Sequence, residues 1–215
     1  MTATRGRLRA VLYDWDGTLV DSAEKSYRAY VEVFRAHGLD FDRATFEATY
    51  SPEWTRTYRA VGLPEERWEE ADRLWIEIYA REPSRLLPGV AAALERVRAH
   101  GRAQGVVSSG DGGRVRGELE SLGVARFFGA VVCAGEAPRK KPHPDPLLRA
   151  LSQLALEPAE AAYVGDSPED VQMARAAGCY SVGVPGGFPN REALRASSPD
   201  LLADRLESAV AALLG

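Results

Sequence analysis

The spacing of hydrophobic and polar positions changes several times along the chain, and the changes outline alternating strands and helices. Ala10 to Tyr13 is a short apolar run containing Val and an aromatic residue, bounded downstream by Gly17, and it reads as a buried strand. From Asp21 the period becomes helical: Tyr27, Tyr30, Val31 and Phe34 recur on one side, and Gly38 ends the run. Asp21, with Glu24 three positions on, is a candidate N-terminal cap. The pattern stays helical over residues 40–86, through Ala44 to Thr49, Trp54 to Val61 and Glu65 to Arg81. The last of these carries Trp68, Ala71, Leu74, Trp75 and Ile78 on one side, and Leu86-Leu87-Pro88-Gly89 then breaks it. A crossover between parallel strands needs only about a dozen residues, so this much helix predicts a separate lid over the first strand.

Beyond Gly89 the rhythm alternates. A helical face of Val90, Ala93, Leu94 and Val97 leads to a strand over Ala103 to Val107, and Val115, Leu119 and Leu122 mark the next helix. A strand follows over Phe128 to Ala134, a helix over Pro146 to Leu156, a strand over Ala161 to Val164 and a helix over Pro168 to Ala177. Tyr180 to Val184 predicts a fifth strand, and Leu201 to Leu214 a helical tail. Such alternation predicts an α/β protein, a Rossmann-like parallel sheet with helices on both faces. The expected division is a core from residues 1–20 and 86–215, with an all-helical cap inserted at 21–85.

Composition narrows the function classes. A net charge of -4 argues against a general nucleic-acid binder, which would carry a basic face, but leaves room for a local basic pocket. No run approaches the roughly 18 apolar residues of a membrane span. Met1 to Arg9 is basic, but Asp14 interrupts any signal-peptide run behind it, so a cytoplasmic protein is expected. Cys133 and Cys179 lie in apolar surroundings and read as buried free thiols. His37 and His100 each precede a Gly, the pattern of a helix C-terminus, and His143 stands apart, so no Ser-His-Asp arrangement emerges. The only lysines are Lys25, Lys140 and Lys141, which makes a doublet beside Pro142 conspicuous. Sequence leaves monomer or homodimer open.

The candidate chemistry gathers at strand ends. Asp14 and Asp16 must sit where the first strand emerges, because a buried strand cannot hold two carboxylates in its middle. Two like charges so close call for a divalent metal, a shared proton or both. Gly17 permits a tight turn after them, and the Thr18 hydroxyl can hold it. A calcium loop is excluded, since the twelfth position from Asp14 is Lys25 rather than Glu. The second strand ends at Ser108-Ser109-Gly110, the fourth at Gly165-Asp166-Ser167, and Lys140-Lys141-Pro142 follows the third. In parallel sheets ligands bind outside the carboxyl ends of the strands, so these clusters share one rim. Carboxylates from two loops suit Mg²⁺, while hydroxyls, loop amides and a lysine suit phosphate oxygens.

The run Asp14-Trp15-Asp16-Gly17-Thr18-Leu19-Val20-Asp21-Ser22 resembles the first motif of the haloacid dehalogenase-like hydrolases. Val106-Val107-Ser108 resembles the second, Lys141-Pro142-His143-Pro144-Asp145 the third and Val164-Gly165-Asp166-Ser167-Pro168-Glu169-Asp170 the fourth, in the order and spacing of that family. The third is in the form that phosphoglycolate phosphatases carry, and a helical cap is usual after the first. The resemblance implies a nucleophile at Asp14, a general acid/base at Asp16 and phosphate contacts from Ser108, Lys141, Gly17, Thr18, Ser109 and Gly110. It implies Mg²⁺ held by Asp14, Asp166 and the Asp16 main-chain carbonyl, with Asp170 orienting Lys141 or the metal waters. A small phosphorylated metabolite is the implied partner, with Arg56, Trp54 and Tyr58 of the cap as candidate substrate contacts. The presence of Asp16 argues against a 2-haloacid dehalogenase or a phosphonatase. A β-phosphoglucomutase-like mutase remains an alternative, although residues 40–62 contain no Gly-x-Ser-Arg segment, as does a catalytically silent protein on the same fold.

Overall fold

The computed structural model describes residues 8–215; the expectations that touch residues 1–7 lie outside the described residues. Its sheet has six strands: β1 (Ala10–Tyr13), β2 (Ala103–Val107), β3 (Ala130–Val132), β4 (Ala161–Gly165), β5 (Tyr180–Gly183) and β6 (Leu201–Leu202). Their spatial order is β3-β2-β1-β4-β5-β6, and every pairing is parallel. β1 lies in the middle, with Tyr13 beside Val106 of β2 and Val164 of β4. The loops after β1, β2 and β4 therefore emerge side by side.

Successive side chains of β1 point to opposite faces, as the pleat requires. Val11 and Tyr13 join the apolar layer beneath α5 (Val90–Ala99), α6 (Gly112–Ser121) and α10 (Leu206–Leu214). Ala10 and Leu12 join the layer beneath α7 (Asp145–Gln153) and α8 (Pro168–Ala177). A strand buried on both faces shows a continuous apolar run instead of alternation, which is why Ala10 to Tyr13 is legible as buried.

Between β1 and α5 the chain forms α1 (Ala23–Ala36), α2 (Arg43–Thr49), α3 (Trp54–Val61) and α4 (Trp68–Tyr79). These helices build an apolar cluster of their own from Tyr30, Phe34, Phe41, Phe46, Tyr58 and Tyr79, joined by Phe188 from the loop after β5. Rings dominate it: Phe34 and Phe41 centroids are 4.6 Å apart, and Tyr50 stacks on Phe188 at 4.5 Å. The outgoing and returning chains run antiparallel beside each other. Asp21 N–H donates to Arg85 O at 2.9 Å and Leu87 N–H to Leu19 O at 2.9 Å.

Four local expectations are corrected. The tail is not helical from Leu201: after α9 (Arg191–Ala196), Leu201 and Leu202 pair with Val182 and Gly183 as an edge strand, and α10 begins at Leu206. Two residues carry no periodicity, so only the tertiary partner makes them a strand. β3 is shorter than Phe128 to Ala134: the Phe128 N–H closes the 3₁₀ turn over Ala125–Phe127, and the Ala134 N–H donates to Gly110 O of the loop after β2. Asp21 does not cap α1; Ser22 holds the cap position with no side-chain bond, and the Asp21 backbone serves the crossing instead. Thr18 does not hold the Gly17 turn through its hydroxyl, which is buried without a partner. The turn rests on Gly17 N–H to Val20 O at 2.9 Å and on Leu19 and Val20 N–H to Trp15 O.

His37 and His100 do sit at the C-terminal ends of α1 and α5, and both cysteines are buried free thiols. No helix among the described residues is long and apolar enough to cross a membrane.

Candidate active site

At the carboxyl rim of the sheet is a cavity of about 270 Å³. Its floor holds Asp14 and Asp16 from the loop after β1, Ser108, Ser109 and Gly110 after β2, and Lys141 before α7. Asp166 after β4 and Asp170 in the first turn of α8 complete it. Its roof is Tyr30, Tyr50, Trp54, Tyr58 and Trp75 from the helical insert.

Lys141 is the centre of the floor. Its Nζ lies 2.6 Å from Asp14 Oδ1 and 2.8 Å from Asp170 Oδ1, with all three side chains nearly inaccessible. Asp170 is fully engaged: Oδ1 also accepts from Tyr163 O–H, and Oδ2 accepts from the N–H and O–H of Ser167. Ser167 and Asp170 thus cap α8 reciprocally, which fixes the carboxylate that holds the lysine. Burial acts to lower the Lys141 pKa, yet the charges of Asp14 and Asp170 outweigh it and hold the pKa above the ordinary lysine value. The ammonium form is therefore secure.

Asp14 and Asp166 are in the opposite position. Burial, offset only in part by Lys141 and reinforced by Asp170, pushes Asp14 up to about 7. Asp166 is raised well above the ordinary carboxylate range by burial, then by Asp14 and Asp170. Asp166 Oδ2 is buried with no hydrogen-bond partner, and oxygens of Asp14, Asp166 and Asp170 lie within 4.8 Å of one another. Three buried carboxylates facing one ammonium leave an uncompensated negative charge, and the orphaned oxygen is a free ligand position. Such a donor set fits an oxygen-loving divalent cation, with Asp14 and Asp166 free to bind it and Asp170 already occupied. Glycine is required beside it: a Cβ on Gly17, whose φ is +76°, would stand 2.5 Å from Asp166 Oδ2.

Ser108 is buried, and its Oγ accepts from Gly110 N–H at 3.0 Å, which leaves the hydroxyl proton to donate. Ser109 and Gly110 border the cavity beside it. Trp54 and Tyr58 wall it from above. Arg56 is not brought there: it is exposed and its Nε pairs with Glu53 Oε2 at 2.9 Å. Lys140 is exposed, but its Nζ lies 2.6 Å from Glu53 Oε1 and so joins the third-strand loop to the insert.

Arg114 escaped the sequence reading. Its guanidinium grips both oxygens of Asp16, Nη1 to Oδ1 at 3.2 Å and Nη2 to Oδ2 at 2.5 Å. A signal was present, since a cation in the first turn of a helix opposes the dipole, and α6 begins at Gly112. Asp72 and Phe188, also on the cavity wall, carried none.

Comparison with known proteins places this geometry. The sequence pattern of the haloacid dehalogenase-like hydrolases matches residues 11–184, and the chain belongs to that family. It is 34% identical to a phosphoglycolate phosphatase of Salmonella paratyphi A, over 96% of this chain and 92% of that protein. A predicted phosphoglycolate phosphatase from Haemophilus somnus shares the fold at a TM-score of 0.85 and 24% identity, covering 96% and 98% of the two chains. CbbY from Rhodobacter sphaeroides, solved in complex with phosphate, superposes at a TM-score of 0.76 with 25% identity, over 93% and 95%.

Proposed function

We propose that this chain is a Mg²⁺-dependent phosphatase that hydrolyses a small phosphomonoester, phosphoglycolate or a similar compound, through an aspartyl phosphate on Asp14. The observation that carries the reading is the Lys141 ammonium 2.6 Å from Asp14 Oδ1, with carboxylate oxygens of Asp14 and Asp166 within 4.8 Å of each other and Asp166 Oδ2 left without a partner. That pairing of a restrained carboxylate with a vacant oxygen suits a nucleophile that works beside a cation. The names of the relatives support the same class.

In this scheme Asp14 attacks phosphorus in line, and the ester oxygen departs with a proton from Asp16. Ser108, Lys141 and the amides of Ser109 and Gly110 hold the phosphoryl oxygens as charge spreads over them. Gly17 makes the turn that carries Asp16, while Thr18 is buried behind it and off the cavity wall. Asp16 then takes a proton from the water that cleaves the acyl phosphate, which restores Asp14 and frees phosphate. Mg²⁺ would be held by Asp14, Asp166 and the Asp16 carbonyl, and when bound it neutralises the approach of one anion to another. Asp170 keeps Lys141 in place. Residues 21–85 act as the cap, whose aromatic roof excludes water and sets which alcohol fits.

The test is a panel of small phosphomonoesters, phosphoglycolate among them, assayed with Mg²⁺ and with chelator. Metal-dependent release of phosphate from at least one compound is the expected result. Binding without turnover across the whole panel would overturn the reading in favour of a silent phosphate-binding protein.

A further inference from the structure

A second buried charged cluster adjoins Asp16, and the scheme above makes no use of it. The Arg114 side chain is 6% exposed and binds Asp16 through a two-pronged fork. Its Nη1 also donates to Glu118 Oε2 at 3.0 Å. Glu118 is itself held on three sides, accepting from Trp15 Nε1 at 2.7 Å and from Ser84 O–H at 2.5 Å as well as from Arg114. Ser84 in turn accepts from Lys25 Nζ at 2.9 Å. Lys25 stands over the Tyr79 ring at 3.8 Å, and the Arg114 guanidinium lies 5.0 Å from the same ring. Trp15 is the residue between Asp14 and Asp16, so Glu118 ties both the loop and the arginine to one point.

The arrangement is costly for the fold alone. Arg114 opposes the dipole of its own helix, and its Nε is buried without a partner. Costs gathered on one side chain beside a reacting group point to a role in the reaction. We propose that Arg114 is the positioning residue for Asp16: its fork aims the ionised carboxylate, and when Oδ1 carries the proton Nη1 stays on Glu118 while Nη2 keeps Oδ2 in place. This rests on the reading of Asp16 as proton donor and acceptor. Asp16 sits on a loop, and a planar guanidinium bonded to both oxygens fixes a carboxylate as a single ammonium cannot.

Leaving-group dependence tests it. An alkyl ester needs the Asp16 proton as its oxygen leaves, whereas the phenolate of p-nitrophenyl phosphate departs without one. First-turnover rates with phosphoglycolate and p-nitrophenyl phosphate are to be measured by rapid quench in Arg114→Gln, Arg114→Lys and Asp16→Asn. Arg114→Gln should slow the alkyl ester about tenfold or more and the aryl ester less than about threefold, with little change in KM. Arg114→Lys should recover only part of the loss, because it keeps the charge and loses the fork. Equal slowing of both esters, no slowing, or full recovery by lysine overturns the proposal. If Arg114→Gln does not fold, Glu118→Gln decides, with the same selective loss in smaller degree expected and equal losses again overturning it. Asp16→Asn separates the two levels: selective loss there without it in Arg114→Gln sinks only the positioning role. Indifference of Asp16→Asn to the leaving group, or no wild-type turnover, sinks the acid/base reading as well.

Discussion

Lys141 Nζ and Asp14 Oδ1 are 2.6 Å apart across 127 positions of sequence, both buried at the carboxyl rim of the sheet. Removing the ammonium leaves Asp14 and Asp170 as buried carboxylates with no cation between them. Lys141→Met should therefore lower stability by about 3–5 kcal/mol in the metal-free protein. Urea unfolding in the presence of chelator reads this directly. Turnover should fall about a hundredfold or more, since a charge proposed to steady the transferring group is lost as well.

Asp14→Asn keeps the shape and removes the proposed nucleophile. Turnover should drop by at least about a thousandfold, with the circular dichroism spectrum unchanged. Intact-protein mass spectrometry after acid quench should find the phosphoryl adduct on the wild type and none on the variant. Retained turnover in the variant would move the covalent step to another residue.

The raised carboxylates make the site's own contribution to stability fall as pH rises. Asp14 titrates near 7 in the folded protein, against an ordinary value of 3.8. Between those values the native state binds more protons than the unfolded one, so stability falls as pH rises through that window. Asp166 acts in the same direction. With chelator present, Tm should decline from pH 4 towards pH 7. Saturating Mg²⁺ should flatten the decline, because a cation that binds the ionised pair offsets its repulsion. A Tm that rises over that range in chelator would contradict the electrostatics of the site.

Much of this was legible in sequence because it rests on short-range rules. Ala10 to Tyr13 is buried on both faces and therefore uniformly apolar, and Asp14 must lie beyond it on energetic grounds alone. Parallel topology then brings Ser108, Lys141 and Asp166 to the same rim. What sequence could not supply are contacts decided by packing across the chain. Arg114 reaches Asp16 over 98 positions, and Phe188 reaches Tyr50 from a loop with no periodicity. Arg56 shows the converse error. A basic residue on the insert is chemically suited to a second anion, but its place on α3 turns it towards Glu53 and solvent.

Two adjacent glycines after β5 separate catalytic from structural consequences. A Cβ on Gly186 would overlap the backbone carbonyl of Gly17 and stand 2.6 Å from Asp166 Oδ2. The first is backbone and the second the tip of a short, buried side chain, so Gly186→Ala must displace the loop that carries Asp16 or the carboxylate proposed to hold Mg²⁺. Gly187, at φ +87°, meets only Ala23 Cβ at 3.6 Å, so Gly187→Ala bears backbone strain of about 1 kcal/mol without touching the rim. Gly186→Ala should thus cost most of the activity and raise the Mg²⁺ requirement. Gly187→Ala should lower Tm by a few degrees and leave kcat/KM within about twofold. The reverse order of effects would show that the loop after β5 does not buttress the carboxylate proposed to hold Mg²⁺.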